Sequence, residues 1–248
     1  VVAASVYMSY KERVHVDVVN EPRSPCADRP LGTEEFGRER VARRLYGGRI
    51  SLVGGIATIA IACVAGCIIG GAAGYFGGRT DTLLMRLIDM LMAIPPVLLA
   101  MAILTALGNG LVNLIISLAI SQIPRFARVV RSAVLTLRGH EYVEAARCFG
   151  CSSMKIIARH ILPNGIGPIV VSATLTLGQI ILSISSMGFL GLGVASPTPE
   201  WGTIISENML NIRYYPYLGI APAACICLAV MAVNFIGDGL RDAFDPRN

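Results

Sequence analysis

Four long stretches of this chain carry no Asp, Glu, Lys or Arg: between Arg49 and Arg79, Asp89 and Arg125, Arg159 and Glu200, and Arg213 and Asp238. A membrane helix needs about 20 apolar residues, so each stretch has room for at least one. The pattern predicts a helix over 50–75 and a second over 86–107 that carries Asp89 and the Pro95-Pro96 pair. Gly108-Asn109-Gly110 tolerates positive φ and marks a tight turn. A third helix then follows over 111–123, a fourth over 165–194 and a fifth over 217–236. Val1–Tyr7 reads as the stub of another. The expected fold class is all-α: a polytopic helical membrane protein with about five full spans plus a truncated first span.

Composition agrees with a membrane setting. The chain of 248 residues is 54% hydrophobic and 15% charged, where soluble domains carry about 25% charge. The net charge of +5 reads as topology, because cytoplasmic loops of membrane proteins collect Lys and Arg. Residues Arg125, Arg128, Arg131, Arg138, Arg147, Lys155 and Arg159 face only Glu141 and Glu144 in the same interval. That places loop 125–163 in the cytoplasm. Helix parity then puts 195–217 outside and the C-terminus inside. No aromatic platform accompanies these arginines, so no nucleic-acid partner is expected.

Parity also puts the segment before Ile50 outside, against its cluster of Arg38, Arg40, Arg43, Arg44 and Arg49. Phe36, Val41, Leu45 and Tyr46 share a helical face there, which suits an amphipathic helix lying flat on the membrane. The chain thus divides into 1–50, a stub and an external segment, and 51–248, a transmembrane domain with its cytoplasmic loop.

Candidate chemistry is sparse. There is no phosphate-cradling G-x-x-x-x-G-K-[ST], so ATP hydrolysis by this chain is not expected. No catalytic motif is present and no catalytic residue is assigned. Cys148 and Cys151 form a C-x-x-C with only His140 and His160 nearby, too little for a zinc site, so neither metal nor cofactor is expected. Asp89 is read as an i,i+3 partner of Arg86. Trp201, the only Trp, is read as an interfacial anchor.

The polar segment carries the strongest signal. Arg125, Arg128 and Arg131 occupy one side of a helix continuing inward from the third span, with Val129, Val130, Ala133 and Val134 on the other. Glu141–Phe149 is a short helix rich in Ala and Glu, ended by Gly150 as a left-handed cap. Ala145 and Ala146 permit close approach of another surface. Glu144-Ala145-Ala146, Gly150 six residues after the Glu, and Leu162-Pro163 together resemble the EAA loop of bacterial ABC importer permeases. Further blocks resemble the peptide-type branch of that family: Leu31–Arg38 with Arg49–Leu52, Gly74–Arg79 with Asp81 and Met85-Arg86, Phe189–Gly193 with Pro197–Gly202, and Asn234–Arg247. His160 stands two places before Leu162-Pro163, as it often does in this branch.

The resemblance is closest to the second permease subunit of dipeptide and oligopeptide importers; nickel, metallophore and glutathione importers share the blocks. It implies an inner-membrane permease that pairs with a second permease, two ATP-binding subunits that hold ATP and Mg, and an external solute-binding protein. Coupling to the ATPase is then carried by Glu141, Glu144, Ala145, Ala146, Arg147, Gly150, Leu162 and Pro163. Six spans in the family imply a longer N-terminus. An ATP-independent channel or membrane anchor is the rival reading of another class.

Overall fold

The computed structural model describes residues 40–194 and 198–244, and every regular element within them is helical. The expected stub at Val1–Tyr7 and Phe36 of the amphipathic segment lie outside the described residues. Helix α1 spans Arg40–Phe76, α2 Gly78–Met92, α3 Pro96–Leu107, α4 Leu111–Leu137 and α5 Glu141–Cys148. A short α6, Ser153–Ile156, passes through a π turn at Ile157–Ile161 into α7, Leu162–Asn164. Then follow α8, Ile166–Phe189, α9, Trp201–Glu207, and α10, Tyr217–Phe244.

Among the described residues, three helices are long and apolar enough to cross a membrane: α1, α8 and α10. The count rises to 4 if α2 and α3 form one bent span. Helix α4 has 27 residues, length enough to cross, but its arginines lower its apolar character.

Several predicted boundaries move: the fourth helix ends at Phe189 rather than at 194, and the fifth runs on to Phe244 rather than ending at 236. The first helix does not begin at Ile50; α1 starts by Arg40, so the proposed domain boundary at residue 50 falls inside a continuous helix. The predicted helix 86–107 breaks into α2 and α3, whose axes differ by 85°. Prolines cause this. A proline lacks a donor N–H and pushes the preceding residue out of the α region, and Pro95 is extended at φ −52, ψ 131. The third helix passes its predicted end at Ile123, continuing through buried Pro124 to Leu137. Residues 125–137, assigned to the cytoplasmic loop, are therefore helix, and Arg125 stands at the middle of α4 rather than in a loop.

The most extensive helix pair is α1 with α4, and glycines make it possible. Gly66, Gly70 and Gly74 recur every four residues on α1. A Cβ on Gly66 would overlap Phe126, one on Gly70 would overlap the Ala127 carbonyl, and one on Gly74 would press on Val134. Without those methyls the backbones approach closely, as small-residue stripes allow in membranes. Around this pair, Ala100, Leu104, Leu114, Leu118, Ile180, Ile184 and Met187 form one core joining α3, α4 and α8.

At the start of α1, a second contact corrects the reading of Trp201. Its side chain is 3% exposed, and its Nε1 donates to the Arg44 carbonyl at 2.8 Å. A Cβ on Gly48 would stand 2.6 Å from the indole Cζ2. Trp201 is an internal wedge between α9 and α1, not an anchor at the lipid interface.

Candidate functional site

The Ala- and Glu-rich run folds as predicted. Helix α5 begins at Glu141 after an extended His140. Glu141 and Glu144 lie in its first turn and Arg147 in its last, which suits the helix dipole at both ends. Gly150, at φ 74, ends it. The Gly150 N–H donates to the Arg147 carbonyl at 2.9 Å and the Cys151 N–H to the Ala146 carbonyl at 3.1 Å. This is the paired-bond Schellman arrangement. Nothing lies within 4 Å of where a Gly150 Cβ would be, so backbone conformation, not space, demands glycine there.

The two alanines play different parts. Val143 and Ala146 face inward and are buried. They join Val130, Val134, Ile156, Ile161 and Ile169 in one cluster, with Leu162 packed against it. Glu141, Glu144, Ala145, Arg147 and Gly150 face out, and Pro163 is exposed farther along. The structure thus gathers the predicted residues on one platform but sets Ala146 and Leu162 in its support and the others on its surface. Arg147 ties the platform to α1: its Nε donates to the Tyr75 hydroxyl at 3.2 Å, and its guanidinium lies 5.0 Å from the Tyr75 ring centre.

Beyond α5 the chain turns through the π turn. Pro163 has no N–H to give the preceding turn. Asn164 Nδ2 donates to the His160 carbonyl there, at 2.6 Å. Gly165 passes close to α4, with Leu137 Cδ1 3.1 Å from where its Cβ would be.

Sequence reasoning passed over two side chains. Phe149 is 87% exposed and Met154 69% exposed, both beside the Gly150 turn. The available signal was a large aromatic inside an otherwise polar, small-residue run. It also misassigned Asp89, which pairs with Arg128 at 2.6 Å rather than with Arg86. The Arg131 guanidinium grips Asp81 with two bonds, at 2.5 and 2.6 Å.

Helix α5 is thus supported from within by Val143 and Ala146 and shows an aromatic and a row of polar groups outward. The profile described as "Binding-protein-dependent transport system inner membrane component" matches residues 64–248. The chain belongs to this family. The dipeptide transport system permease protein DppC of Alkalihalophilus pseudofirmus is 43% identical over 228 residues, 92% of this chain and 75% of the relative. The glutathione transport system permease protein GsiD of Pectobacterium atrosepticum is 38% identical over 244 residues, 98% of this chain and 81% of the relative. Among solved structures, the MetNI methionine ABC transporter in an inward-facing form matches with a TM-score of 0.64 at 20% identity, over 80% of this chain and 94% of that one. An amino acid ABC transporter crystallised with histidines matches with a TM-score of 0.60 at 14% identity, over 82% of this chain and 95% of that one. These structures establish the permease fold. The protein is a membrane permease subunit of the ABC importer class.

Proposed function

We propose that this permease carries di- or oligopeptides across the bacterial inner membrane by alternating access. It acts as one half of a heterodimer with a second permease subunit, with about five full spans in this chain. An external solute-binding protein delivers substrate, and two ATP-binding subunits on the cytoplasmic side hold ATP and Mg and supply the energy. The α5 platform and the C-terminus face that side, as the positive charge of the segment favours.

The observation that carries this reading is the construction of α5. Its inner face is anchored through Val143 and Ala146, while Phe149 stands 87% exposed at its end. A push on such a helix passes as a rigid-body displacement into α4 through Val130 and Val134 and into α1 through Tyr75. Glu141, Glu144, Ala145, Arg147, Gly150 and Pro163 meet the ATPase, and Ala146 and Leu162 hold the platform in place. ATP binding shifts the permease only because the ATPase dimer prefers one of its conformations.

The substrate reading rests on relatives named for dipeptides. Glutathione is the second reading, supported by the GsiD protein of Escherichia coli O157:H7, 42% identical over 238 residues. The test is uptake by proteoliposomes containing the full complex with ATP inside. Labelled dipeptide, glutathione and chelated nickel are offered in parallel, each with its binding protein. ATP-dependent dipeptide accumulation is the expected result. Glutathione or nickel accumulation without peptide would change the substrate, and failure to co-purify with any ATP-binding subunit would favour a channel or anchor.

A further inference from the structure

Arg125, Arg128 and Arg131 stand three residues apart on α4, yet their partners differ. Arg128 and Arg131 are each paired with a carboxylate, Asp89 and Asp81. Arg125 Nη1 instead donates to the neutral Oε1 of Gln179 at 2.6 Å. Among the described residues, no carboxylate lies within ion-pair distance of Arg125.

The depth of this contact gives it meaning. Gln179 belongs to α8, one of the helices long and apolar enough to cross a membrane. At 1.5 Å per residue, Gln179 is about 20 Å from Ile166 and about 15 Å from Phe189. The contact therefore lies near mid-span. A guanidinium at that depth is costly against hydrocarbon and faces a bundle interior or an aqueous path.

The side chains are open on this chain's own surface: Gln179 is exposed and Arg125 half-buried. Ser183 and Ser186 continue the polar strip along α8. Their hydroxyls bond back to the Gln179 and Leu182 carbonyls at 2.9 and 2.8 Å.

We propose that Arg125 and Gln179 form a mid-membrane site for the carboxylate of the passing solute. The inference rests on the importer reading and adds the chemical class its path selects: solutes with a free carboxylate, such as a peptide C-terminus. The guanidinium is a planar fork of donors matched to a carboxylate. The Gln179 amide, with its oxygen turned to Arg125, keeps its NH2 group to donate to the same anion. The neutral partner leaves the positive charge for the solute, whereas Arg128 and Arg131 already have built-in counter-ions.

The test exchanges one group. Gln179→Glu places a permanent carboxylate on Arg125 and is compared with Arg125→Gln and Arg125→Lys. Each complex is reconstituted with its binding protein and ATP, and uptake of a labelled dipeptide with a free C-terminus is measured. Assembly with the other subunits is checked by size-exclusion chromatography. The expected result is intact assembly, with uptake reduced about tenfold or more in Gln179→Glu and Arg125→Gln and partly kept in Arg125→Lys. Wild-type uptake in Gln179→Glu or Arg125→Gln would overturn the site. So would loss of assembly, which would make the strip a subunit interface. A wild-type complex that moves no peptide would instead defeat the importer reading itself.

Discussion

The two ends of α1 hold polar groups in opposite ways. Arg44 and Tyr75 mark these ends, about 45 Å apart at 1.5 Å per residue. At the Arg44 end, polarity is turned inward. Glu200 is 0% exposed, caps α9 by accepting the Thr203 N–H at 3.0 Å, and accepts the Ser185 and Ser51 hydroxyls at 3.1 and 3.3 Å. A Cβ on Gly188 would overlap Glu200, so the cradle is shaped around the carboxylate. Arg43 adds an ion pair to Glu207 at 2.8 Å. At the Tyr75 end, α5 buries only Val143 and Ala146 and turns its other side chains outward. One end is a closed clasp whose hydrogen bonds are spent within the chain. The other is supported from beneath and left open above.

That contrast can be broken most severely at the clasp. Glu200→Ala removes the cap of α9 and strands two buried hydroxyls, with an expected cost of about 3 kcal/mol. A fall in the thermal midpoint of the detergent-purified protein checks it; a wild-type midpoint would mean the clasp is not structural. The next largest effect belongs to the open end and leaves the fold alone. Phe149→Ala should weaken association with the ATP-binding subunits by about 2 kcal/mol, roughly thirtyfold in Kd, as loss of an aromatic anchor does. A binding titration that shows no change would remove Phe149 from the docking surface.

Gly150→Ala sharpens the comparison further. Its left-handed backbone should cost about 1 kcal/mol, whereas Gly150→Asn, which tolerates that region, should cost less. Equal melting of the two variants would contradict the argument from φ. The smallest effect is expected for Arg147→Ala, about 0.5–1 kcal/mol from the lost contact of an exposed guanidinium with the half-buried Tyr75 ring, read as slightly easier proteolysis of the α5 segment.

How much of this was legible in the sequence follows the same divide. Helix α5 was readable because its start, its composition and its stop at Gly150 are local. The clasp was not, because its bonds join residues 149 and 157 positions apart, Ser51 to Glu200 and Arg44 to Trp201. A single Trp beside an apolar run reads as a lipid anchor until a neighbouring helix supplies glycines to receive it. Asp89 was misread for the same reason: Arg86 is near in sequence, but Arg128 is near in space. The break at Pro95-Pro96 was visible as residues but not as an 85° bend, since uninterrupted hydropathy hides a change of direction. The register of Gly66, Gly70 and Gly74 was present in the sequence and lacked only a partner to give it meaning.

The central claim is that α5 transmits the work of the ATPase. Its most direct test is the ratio of dipeptide imported to ATP hydrolysed in proteoliposomes, for wild type and for Gly150→Trp. The account predicts that the variant inserts in the membrane while import falls away and the ratio collapses. Normal import at the wild-type ratio by Gly150→Trp would contradict it.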